Sequence, residues 1–542
     1  MIQSQATSDY FKYCPGEERV RISNAICQGR RRSHYPKCRG CQFNDDETDR
    51  AATTGASSRA PDAELGVTAV VHPREDRSRS TSDVASLFHA SNISGTTPVP
   101  LSEDVAWRIG HAAAHFLRSK LRGYDRADPD TRAVVVGRDT RQHSAALEQA
   151  LITGIRSTGT DVVSLGIIDT PLLYFAVNQL GACGGFQIAG GRLPTECNGI
   201  RICGAKASPI GIETGLSSIR DIADRIPQHE TGATSRLITR DLSDDYATFV
   251  RDFLISNKRL PRPVRIVVDA SNGAAGRWFP VVFKGIRNLR ISRLHFDHKG
   301  EFAHPPDPSA AKNTRMLRSQ VKEESADFGI CFDSSGEHCT FVDDKARTLR
   351  PDFVLALLSR VFLHRQQGAT IVYDHRFSAA VEEEIIRAGG IPIRERNSSA
   401  HIKKTMSERD AILGGDLAGR FFFRDSSFNE SGILAFVHMI NLLNTSGRKL
   451  SELIRPLQRY STSGDLRYHC TDPERVLNQV MAAHQAALIE EHDGLTVRYP
   501  DWWVNVRPYP GQRLLRVTLE ARSRTLVDQR LAELQPILGE RA

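Results

Sequence analysis

From residue 86 onward, apolar runs and helical patterns alternate along the chain. Residues 132–137 (RAVVVG) are typical of a buried strand, and residues 145–157 repeat their apolar positions at helical spacing. Further runs of the buried-strand type occur at 264–269 (VRIVVD), 327–333 (DFGICFD) and 369–374 (ATIVYD). This alternation predicts βαβ units with parallel strands, and open sheets of this kind bind ligands at the carboxyl ends of their strands.

The pattern changes near residue 458. Short alternating runs between helical patterns predict a smaller α+β domain, with strands at 495–499 (LTVRY), 502–507 (WWVNVR) and 514–520 (LLRVTLE). The chain has 542 residues, which is enough for three or four domains of roughly 150 residues each. We expect these domains at residues 86–240, 241–350, 351–457 and 458–542.

The first 48 residues form a separate cysteine-rich segment. It contains Cys14, Cys27, Cys38 and Cys41, and the last two have the spacing at which two thiolates reach one tetrahedral ion. The segment is too short to bury a core, which favours a structural zinc site, with His34 as a substitute ligand. Reduced, unligated cysteines are the alternative. Residues 49–85 are rich in Ala, Ser, Thr, Asp and Arg and predict a disordered linker.

Composition and charge narrow the classes of function. The net charge of +8 comes from 72 Lys+Arg against 64 Asp+Glu and is spread along the chain, so we do not expect a nucleic-acid-binding protein. No stretch approaches the ~18 apolar residues of a membrane span, and the first residues lack an apolar signal segment. We therefore expect a cytoplasmic protein without membrane contact.

The most specific motifs lie between residues 134 and 202. They are GRDTR at 137–141, TP at 170–171 and GGRLPTECNGI at 190–200. Asp139, in the first motif, follows a strand and is expected to fix the turn and nearby arginines. The run resembles domain I of the α-D-phosphohexomutases, the phosphomannomutase/phosphoglucomutase family, and similar motifs extend this resemblance to residue 524.

The resemblance implies both a fold and a chemistry. The fold has three α/β domains with mixed, mainly parallel sheets and a smaller C-terminal α+β domain. The chemistry moves a phosphoryl group between two positions of a hexose through an enzyme phosphoserine and Mg²⁺. In the family register the phosphoserine falls on Gly191 and the next residue, a histidine in the family, on Arg192. Glycine has no oxygen that can carry a phosphoryl group.

The family's metal loop, DGDxDR, corresponds to residues 333–338 (DSSGEH). Asp333 is retained, Glu337 replaces the third carboxylate, and Ser335 replaces the second. Mg²⁺ prefers several hard oxygen ligands, and in the family it also contacts the phosphoserine. We expect a weak divalent-ion site at Asp333 and Glu337 at most, with two solvated loop acids as the alternative.

The sugar and phosphate loops of the family are also altered. The sugar loop, GExSGH, corresponds to residues 415–420 (GDLAGR), where Asp416 keeps a carboxylate and Arg420 replaces the histidine. The phosphate loop retains Arg507 and has Arg513 and Arg516 nearby. These five residues are the candidate substrate-binding residues, and a solvated basic turn is the alternative for the three arginines.

Three hypotheses follow. The first is a phosphohexomutase-family protein that has lost catalysis and acts as a sugar-phosphate-binding or regulatory protein. The second is an active mutase with an unconventional phosphoryl acceptor, for which Thr195 offers a hydroxyl four positions beyond Gly191. The third is an adaptor that docks a protein partner through its cysteine-rich segment.

Overall fold

The computed structural model describes residues 11–13, 21–23, 84–121, 132–226, 235–509 and 512–542. The chain divides into two compact units, Met1–Arg79 and Ser80–Ala542. In the first unit, strands β1 (Phe11–Tyr13) and β2 (Arg21–Ser23) pair in antiparallel fashion. The four predicted zinc ligands, Cys14, Cys27, Cys38 and Cys41, lie outside the described residues.

The second unit begins with a six-stranded mixed sheet, which we call domain I with its helices. Its strands lie in the order β3-β7-β6-β4-β5-β8. They are β3 (Ile93–Thr96), β4 (Val134–Arg138), β5 (Val162–Ile167), β6 (Gly184–Ile188), β7 (Cys197–Gly204) and β8 (Leu237–Thr239). The helices are α1 (Glu103–Lys120), α2 (Ser144–Arg156), α3 (Thr170–Gln179) and α4 (Ser217–Arg225).

Domain II has a four-stranded sheet in the order β10-β9-β11-β12. Parallel pairing joins β10 to β9 and β9 to β11, and β12 is antiparallel to β11. The strands are β9 (Arg259–Asp269), β10 (Arg287–Leu294), β11 (Phe328–Phe332) and β12 (Cys339–Asp343). The helices are α5 (Ser243–Arg251), α6 (Ala275–Val282) and α7 (Arg315–Glu323).

Domain III has a five-stranded mixed sheet in the order β14-β13-β15-β16-β17. The strands are β13 (Thr370–Asp374), β14 (Ile391–Glu395), β15 (Leu413–Gly415), β16 (Phe421–Phe423) and β17 (Asn429–Glu430). The helices are α8 (Pro351–Arg365), α9 (Ala379–Arg387), α10 (Ser399–Glu408), α11 (Gly432–Ser446) and α12 (Leu450–Ile454).

Domain IV is a five-stranded antiparallel sheet in the order β18-β22-β21-β20-β19 with two helices. The strands are β18 (Ser461–His469), β19 (Leu488–Glu490), β20 (Leu495–Arg498), β21 (Trp502–Pro508) and β22 (Leu514–Ala521). The helices are α13 (Pro473–Ala483) and α14 (Arg524–Leu538). The predicted α+β character of this segment is confirmed.

The predicted α/β class is also confirmed, because the apolar runs form the central strands. β4 buries Val134, Val135 and Val136 completely, as expected for a strand with helices on both faces. Asp169 begins α3 by accepting a hydrogen bond from the Leu172 amide, and Pro171 suits the first turn. Val84, in the last part of the predicted linker, is buried in the domain I core.

One hydrophobic core joins domains I, II and III. It includes Leu173 of α3, Phe279 of α6 and Phe436 of α11, and the last two rings lie 4.9 Å apart between centroids. This shared core fixes the three domains relative to one another, so that loops from different sheets meet at defined positions. Within the described part of the chain, every helix is too short or too polar to span a bilayer.

Candidate functional site

Three loops meet at the carboxyl ends of parallel strands. Loop 1 (residues 189–196) follows β6, loop 2 (333–338) follows β11, and loop 3 (415–420) begins at the end of β15. Loop 2 joins loop 1 through a hydrogen bond from Ser334 Oγ to the Gly191 carbonyl oxygen, at 2.9 Å. It joins loop 3 through a backbone bridge between His338 and Arg420. The three loops therefore lie together at the strand ends where the sequence predicts that a ligand binds.

A buried arginine shapes loop 1. Arg141 donates from Nη1 to the Pro194 carbonyl oxygen at 2.6 Å and from Nη2 to those of Leu193 and Gly191, at 2.8 and 3.2 Å. Asp139 accepts from Arg141 Nε at 3.2 Å and so orients the guanidinium. The expectation that Asp139 fixes the turn and nearby arginines is confirmed for the turn and for Arg141, whose amide and Nε both donate to the Asp139 carboxylate.

Gly191 lies at the tip of loop 1 in the left-handed region, with φ of +53°. A Cβ atom added there would be 3.4 Å from Asp333 Oδ2 and 3.4 Å from Ser335 Oγ. The position therefore faces loop 2 directly, and a serine would point its hydroxyl toward that loop. An L residue in this conformation costs roughly 1–2 kcal/mol. Thr195 is exposed at the far end of loop 1.

Asp333 is buried and hydrogen-bonded within loop 2. Its Oδ1 accepts the amides of Glu337 and His338 at 3.0 and 3.3 Å, and its Oδ2 accepts Ser335 Oγ and His338 Nδ1 at 3.2 and 2.7 Å. Burial raises the pKa of Asp333 to about 6. The hydrogen bond from the His338 amide and the charge of Arg192 act in the opposite direction but are outweighed. Burial, followed by Arg192 and Arg420, holds the pKa of His338 well below its usual value, so a neutral ring donates to the Asp333 carboxylate.

Glu337 belongs to a chain of buried charges that crosses the cleft. Its Oε2 accepts Arg201 Nη2 at 2.6 Å, and its Oε1 accepts the Thr170 hydroxyl at 2.8 Å. Arg201 also contacts Glu430 at 3.3 Å, and Lys403 Nζ lies 2.5 Å from the other oxygen of Glu430. Burial raises the pKa of Glu430, but Lys403 and Arg201 outweigh it and lower that pKa to about 2.

Asp416 in loop 3 is fully buried and bonded to its own loop. Its Oδ1 accepts the amides of Ala418 and Arg420, both at 3.0 Å. Its Oδ2 accepts Arg420 Nε and Nη2, at 2.7 and 2.6 Å. A carboxylate has about four acceptor positions, and all four are used here. Asp416 therefore holds Arg420 in place. The Arg420 side chain is 16% exposed and lines the cleft.

These contacts test whether loop 2 fits Mg²⁺. Both oxygens of Asp333 carry two hydrogen bonds each, and Glu337 is paired with Arg201. Mg²⁺ requires near-octahedral coordination by oxygen lone pairs that point at one centre. Donors of the protein occupy all four lone pairs of Asp333, and Glu337 is engaged by Arg201 and the Thr170 hydroxyl, so the residues present do not fit the ion.

A cavity of about 200 Å³ lies beside Gly191. Its wall includes three arginines, Arg192, Arg201 and Arg420, together with Glu337. Arg192 is the most exposed of the three and has the weakest ion pair. Its side chain is 36% exposed, and its contact with Asp307 is 3.9 Å long. Three guanidinium groups around one small cavity favour an anionic occupant.

A second group of arginines lies where domain III faces domain IV. Arg507 and Arg516 are direct cross-strand partners in β21 and β22, and like charges at such positions repel. Arg376, in the turn after β13, is buried and paired with Asp374. Burial, and after it the charge of Arg376, lowers the pKa of both Arg507 and Arg516.

Arg507 has an unsatisfied donor. Its side chain is 92% buried, its Nη1 contacts Asp493 at 3.4 Å, and its Nη2 has no hydrogen-bond partner among the described residues. A buried guanidinium donor without a partner costs free energy, which an anion placed there would recover. Arg513 is exposed just before β22 and apart from these contacts, and Pro510 lies outside the described residues.

Sequence reasoning did not identify four charged residues of this site. Arg201, Lys403 and Glu430 carry the buried charge network, and Arg376 completes the second arginine group. Arg201 lies within the run at 134–202 that carries the resemblance, whereas Lys403, Glu430 and Arg376 belong to none of the motifs that pointed to the site. Arg201 directly follows the NGI motif at 198–200, and the alternation of side chains along a strand could have placed it on the cleft face.

Comparison with known proteins gives one family. Sequence models of the phosphoglucomutase/phosphomannomutase family match alpha/beta/alpha domain I at residues 85–230, domain II at 244–346 and domain III at 350–460. A protein of Xanthomonas campestris pv. campestris described as phosphohexose mutases is 30% identical over 458 residues, which cover 83% of this chain and 98% of that protein.

Solved structures agree with this. A phosphoglucomutase/phosphomannomutase family protein from Burkholderia thailandensis has a TM-score of 0.74 and 25% identity, covering 85% of this chain and 97% of that one. An Aspergillus fumigatus N-acetylphosphoglucosamine mutase, solved with GlcNAc-6P and magnesium, shares the fold at a TM-score of 0.53 and 13% identity, over 85% of this chain and 99% of that one.

We predict that Arg201→Met lowers the free energy of unfolding by about 3 kcal/mol, because it leaves Glu337 without its cation and Glu430 with one fewer. The value is at the low end for a buried pair, since 20% of the Arg201 side chain is exposed. Urea unfolding followed by tryptophan fluorescence measures the change. The double variant Arg201→Met, Glu337→Gln should recover part of the loss.

The matched control is Arg524→Met. Arg524 pairs with Asp528 on the surface of α14, with both side chains more than half exposed, so its loss should cost less than about 1 kcal/mol. Equal effects of the two arginine substitutions would contradict a stabilising role of the buried network.

Proposed function

The chain belongs to the phosphoglucomutase/phosphomannomutase family, and we propose that it binds a hexose phosphate in the family's cleft without carrying the phosphoryl group on the enzyme. It would then act as a sugar-phosphate-binding or regulatory protein. The observation that carries this proposal is Gly191, which faces Asp333 and Ser335 where the family register places the phosphoserine.

The state of the neighbouring loops supports the loss of turnover. Covalent catalysis needs a nucleophile, and loss of a nucleophile costs factors on the order of 10⁶ in rate. Here the carboxylates of loops 2 and 3 are bonded to donors of the protein, namely His338, Arg201 and Arg420. A second change would therefore be needed before loop 2 could present its oxygens to a metal ion.

The arginines support retained binding of a phosphate. Arg507 offers a buried Nη2 donor without a partner, and Arg376 and Arg516 add charge beside it. Arginine forks match the geometry of phosphate oxygens. The Aspergillus structure holds an amino-sugar 6-phosphate, which supports a hexose phosphate as the ligand class for this chain.

Two expectations from the sequence remain proposals. One is a structural zinc ion held by Cys14, Cys27, Cys38 and Cys41, for which the C-x2-C spacing of the last pair is the support. The other is the set of domain boundaries at residues 86–240, 241–350, 351–457 and 458–542.

We predict no mutase turnover from glucose 1-phosphate or mannose 1-phosphate, each supplied with its bisphosphate and Mg²⁺, because no serine hydroxyl lies at the tip of loop 1. Gly191→Ser alone should not restore turnover, since Asp333 and Glu337 stay bonded to the protein. A coupled assay for the 6-phosphate product measures both. Gly191→Ala is the matched control, because it has the same backbone cost without the hydroxyl.

Turnover by the natural chain at ordinary enzyme rates would overturn the proposal in favour of an unconventional acceptor such as Thr195. Turnover by Gly191→Ser but not by Gly191→Ala would show that loops 2 and 3 remain competent.

We predict that calorimetry detects binding of mannose 1-phosphate or glucose 1-phosphate, and that Arg507→Ala weakens it at least about tenfold by removing a buried charged donor. Arg522→Ala, an exposed arginine of the same domain, should leave the affinity unchanged. A chain with no measurable affinity for either sugar phosphate would leave the adaptor hypothesis as the remaining account.

A further inference from the structure

A group of metal-ligating side chains lies in domain II, outside the three loops. Asp269 is the last residue of β9, His295 follows the neighbouring parallel strand β10, and His304 lies in the connection that leaves β10. Among the described residues, these three have one ligand atom each, and the three atoms lie within 4.8 Å of one another.

The distances are those of a compact cluster. Asp269 Oδ1 is 2.9 Å from His295 Nδ1, and Asp269 Oδ2 is 3.1 Å from His304 Nε2. Zinc bonds of roughly 2.0–2.2 Å place neighbouring tetrahedral ligands about 3.3 Å apart. The carboxylate and the two rings therefore need only small movements to surround one ion.

The two ring nitrogens of His304 have different partners. Its Nδ1 lies 2.9 Å from the Pro305 carbonyl oxygen, which can only accept, so Nδ1 carries the proton. Its other ring nitrogen, Nε2, lies 3.1 Å from Asp269 Oδ2 and is therefore the nitrogen that belongs to the cluster.

The arrangement of His304 is the one that metal-binding histidines use. Such a histidine binds the ion through one nitrogen and donates the other N–H to a carbonyl or carboxylate, which fixes the ring. Asp269 is fully buried, whereas the side chains of His295 and His304 are 15% and 14% exposed. The open side of the cluster thus leaves access for an ion and a water ligand.

The backbone around the cluster is held in place. The Asn272 amide donates to the His295 carbonyl oxygen at 2.8 Å, and the Ala303 amide donates to Asn272 Oδ1 at 3.0 Å. Asn272 therefore connects the segment that carries His295, through its backbone, to the segment that carries His304, through its side chain. Asp269 Oδ1 also accepts the Ser271 amide at 2.9 Å, which orients the carboxylate.

We propose that Asp269, His295 and His304 form a binding site for a divalent transition-metal ion of the zinc class. Two imidazoles and one carboxylate suit Zn²⁺ and similar ions, whereas Mg²⁺ prefers oxygen ligands throughout. The site is independent of the cysteine-rich segment and of the sugar-phosphate proposal.

The proposed metal site lies beside the turn that supports loop 2. The turn after Asp269 supports loop 2, since Ser271 Oγ donates to the Phe332 carbonyl oxygen at 2.6 Å and the Ala274 amide donates to that of Ser334 at 3.0 Å. An ion that joins Asp269 to the connection after β10 would hold this turn, and with it the base of loop 2.

The test is metal binding by the full chain after chelation and removal of the chelator. We predict that His304→Gln and His295→Gln each bind about one equivalent less Zn²⁺ than the natural chain, or bind that equivalent at least about tenfold more weakly. Elemental analysis and calorimetric titration measure it. His364→Gln, which replaces an exposed histidine of α8, is the matched control and should bind like the natural chain.

Cobalt substitution separates this site from any cysteine site. Thiolate ligands add intense charge-transfer bands in the near ultraviolet, whereas nitrogen and oxygen ligands give only weak visible bands. We expect His304→Gln to lose visible intensity and to keep any thiolate bands. Circular dichroism identifies a variant that has not folded, and the second histidine variant then decides.

Equal stoichiometry and affinity in the natural chain and both variants would overturn the proposal. A loss of binding that is equally large in His364→Gln would overturn it as well, because it would show nonspecific binding to surface histidines.

Discussion

The carboxylates at the floor of the cleft are bonded to the protein itself, and the character of the whole site depends on this. Asp333 accepts from its own loop and from His338, Glu337 pairs with Arg201, and Asp416 pairs with Arg420. Buried charges need partners, because removing an ion from water costs several kcal/mol even after relaxation. In this chain His338 and Arg201 are the partners of the loop 2 carboxylates, and Arg420 is the partner of Asp416.

The proposed loss of phosphoryl transfer connects Gly191 with this charge network. A phosphoserine at the tip of loop 1 would place a dianion beside Asp333 and Ser335, and the metal of the family's chemistry would balance it. With glycine at position 191, no phosphoserine dianion can form beside loop 2. Arg201 donates to Glu337, and His338 donates to Asp333. Under the proposed function, the phosphate of the ligand would contact Arg507, whose buried Nη2 has no hydrogen-bond partner among the described residues.

Local pattern was enough to predict the strands and the loops that follow them. The run at 132–137 became Val134–Arg138, and the run at 327–333 became Phe328–Phe332, because buried parallel strands are recognisable as short apolar segments. The family motifs then placed Gly191, Asp333 and Asp416 on loops that do meet.

The partners of those residues could not be predicted in the same way. Arg201 and Glu430 are 229 residues apart and belong to different sheets, so their pairing depends on how the domains pack and not on any local pattern. The same holds for Arg376 beside Arg507. The cluster of Asp269, His295 and His304 could not be predicted from local pattern either. Its members come together only because β9 pairs with β10 and the segment after β10 brings His304 close to Asp269.

The central claim is that no residue of this chain carries a phosphoryl group during its function. The most direct measurement is the intact mass of the protein after incubation with glucose 1,6-bisphosphate and Mg²⁺, followed by removal of the small molecules. The account predicts a mass identical to that of the untreated chain. A stable increase by the mass of one phosphoryl group, on any residue, would contradict it.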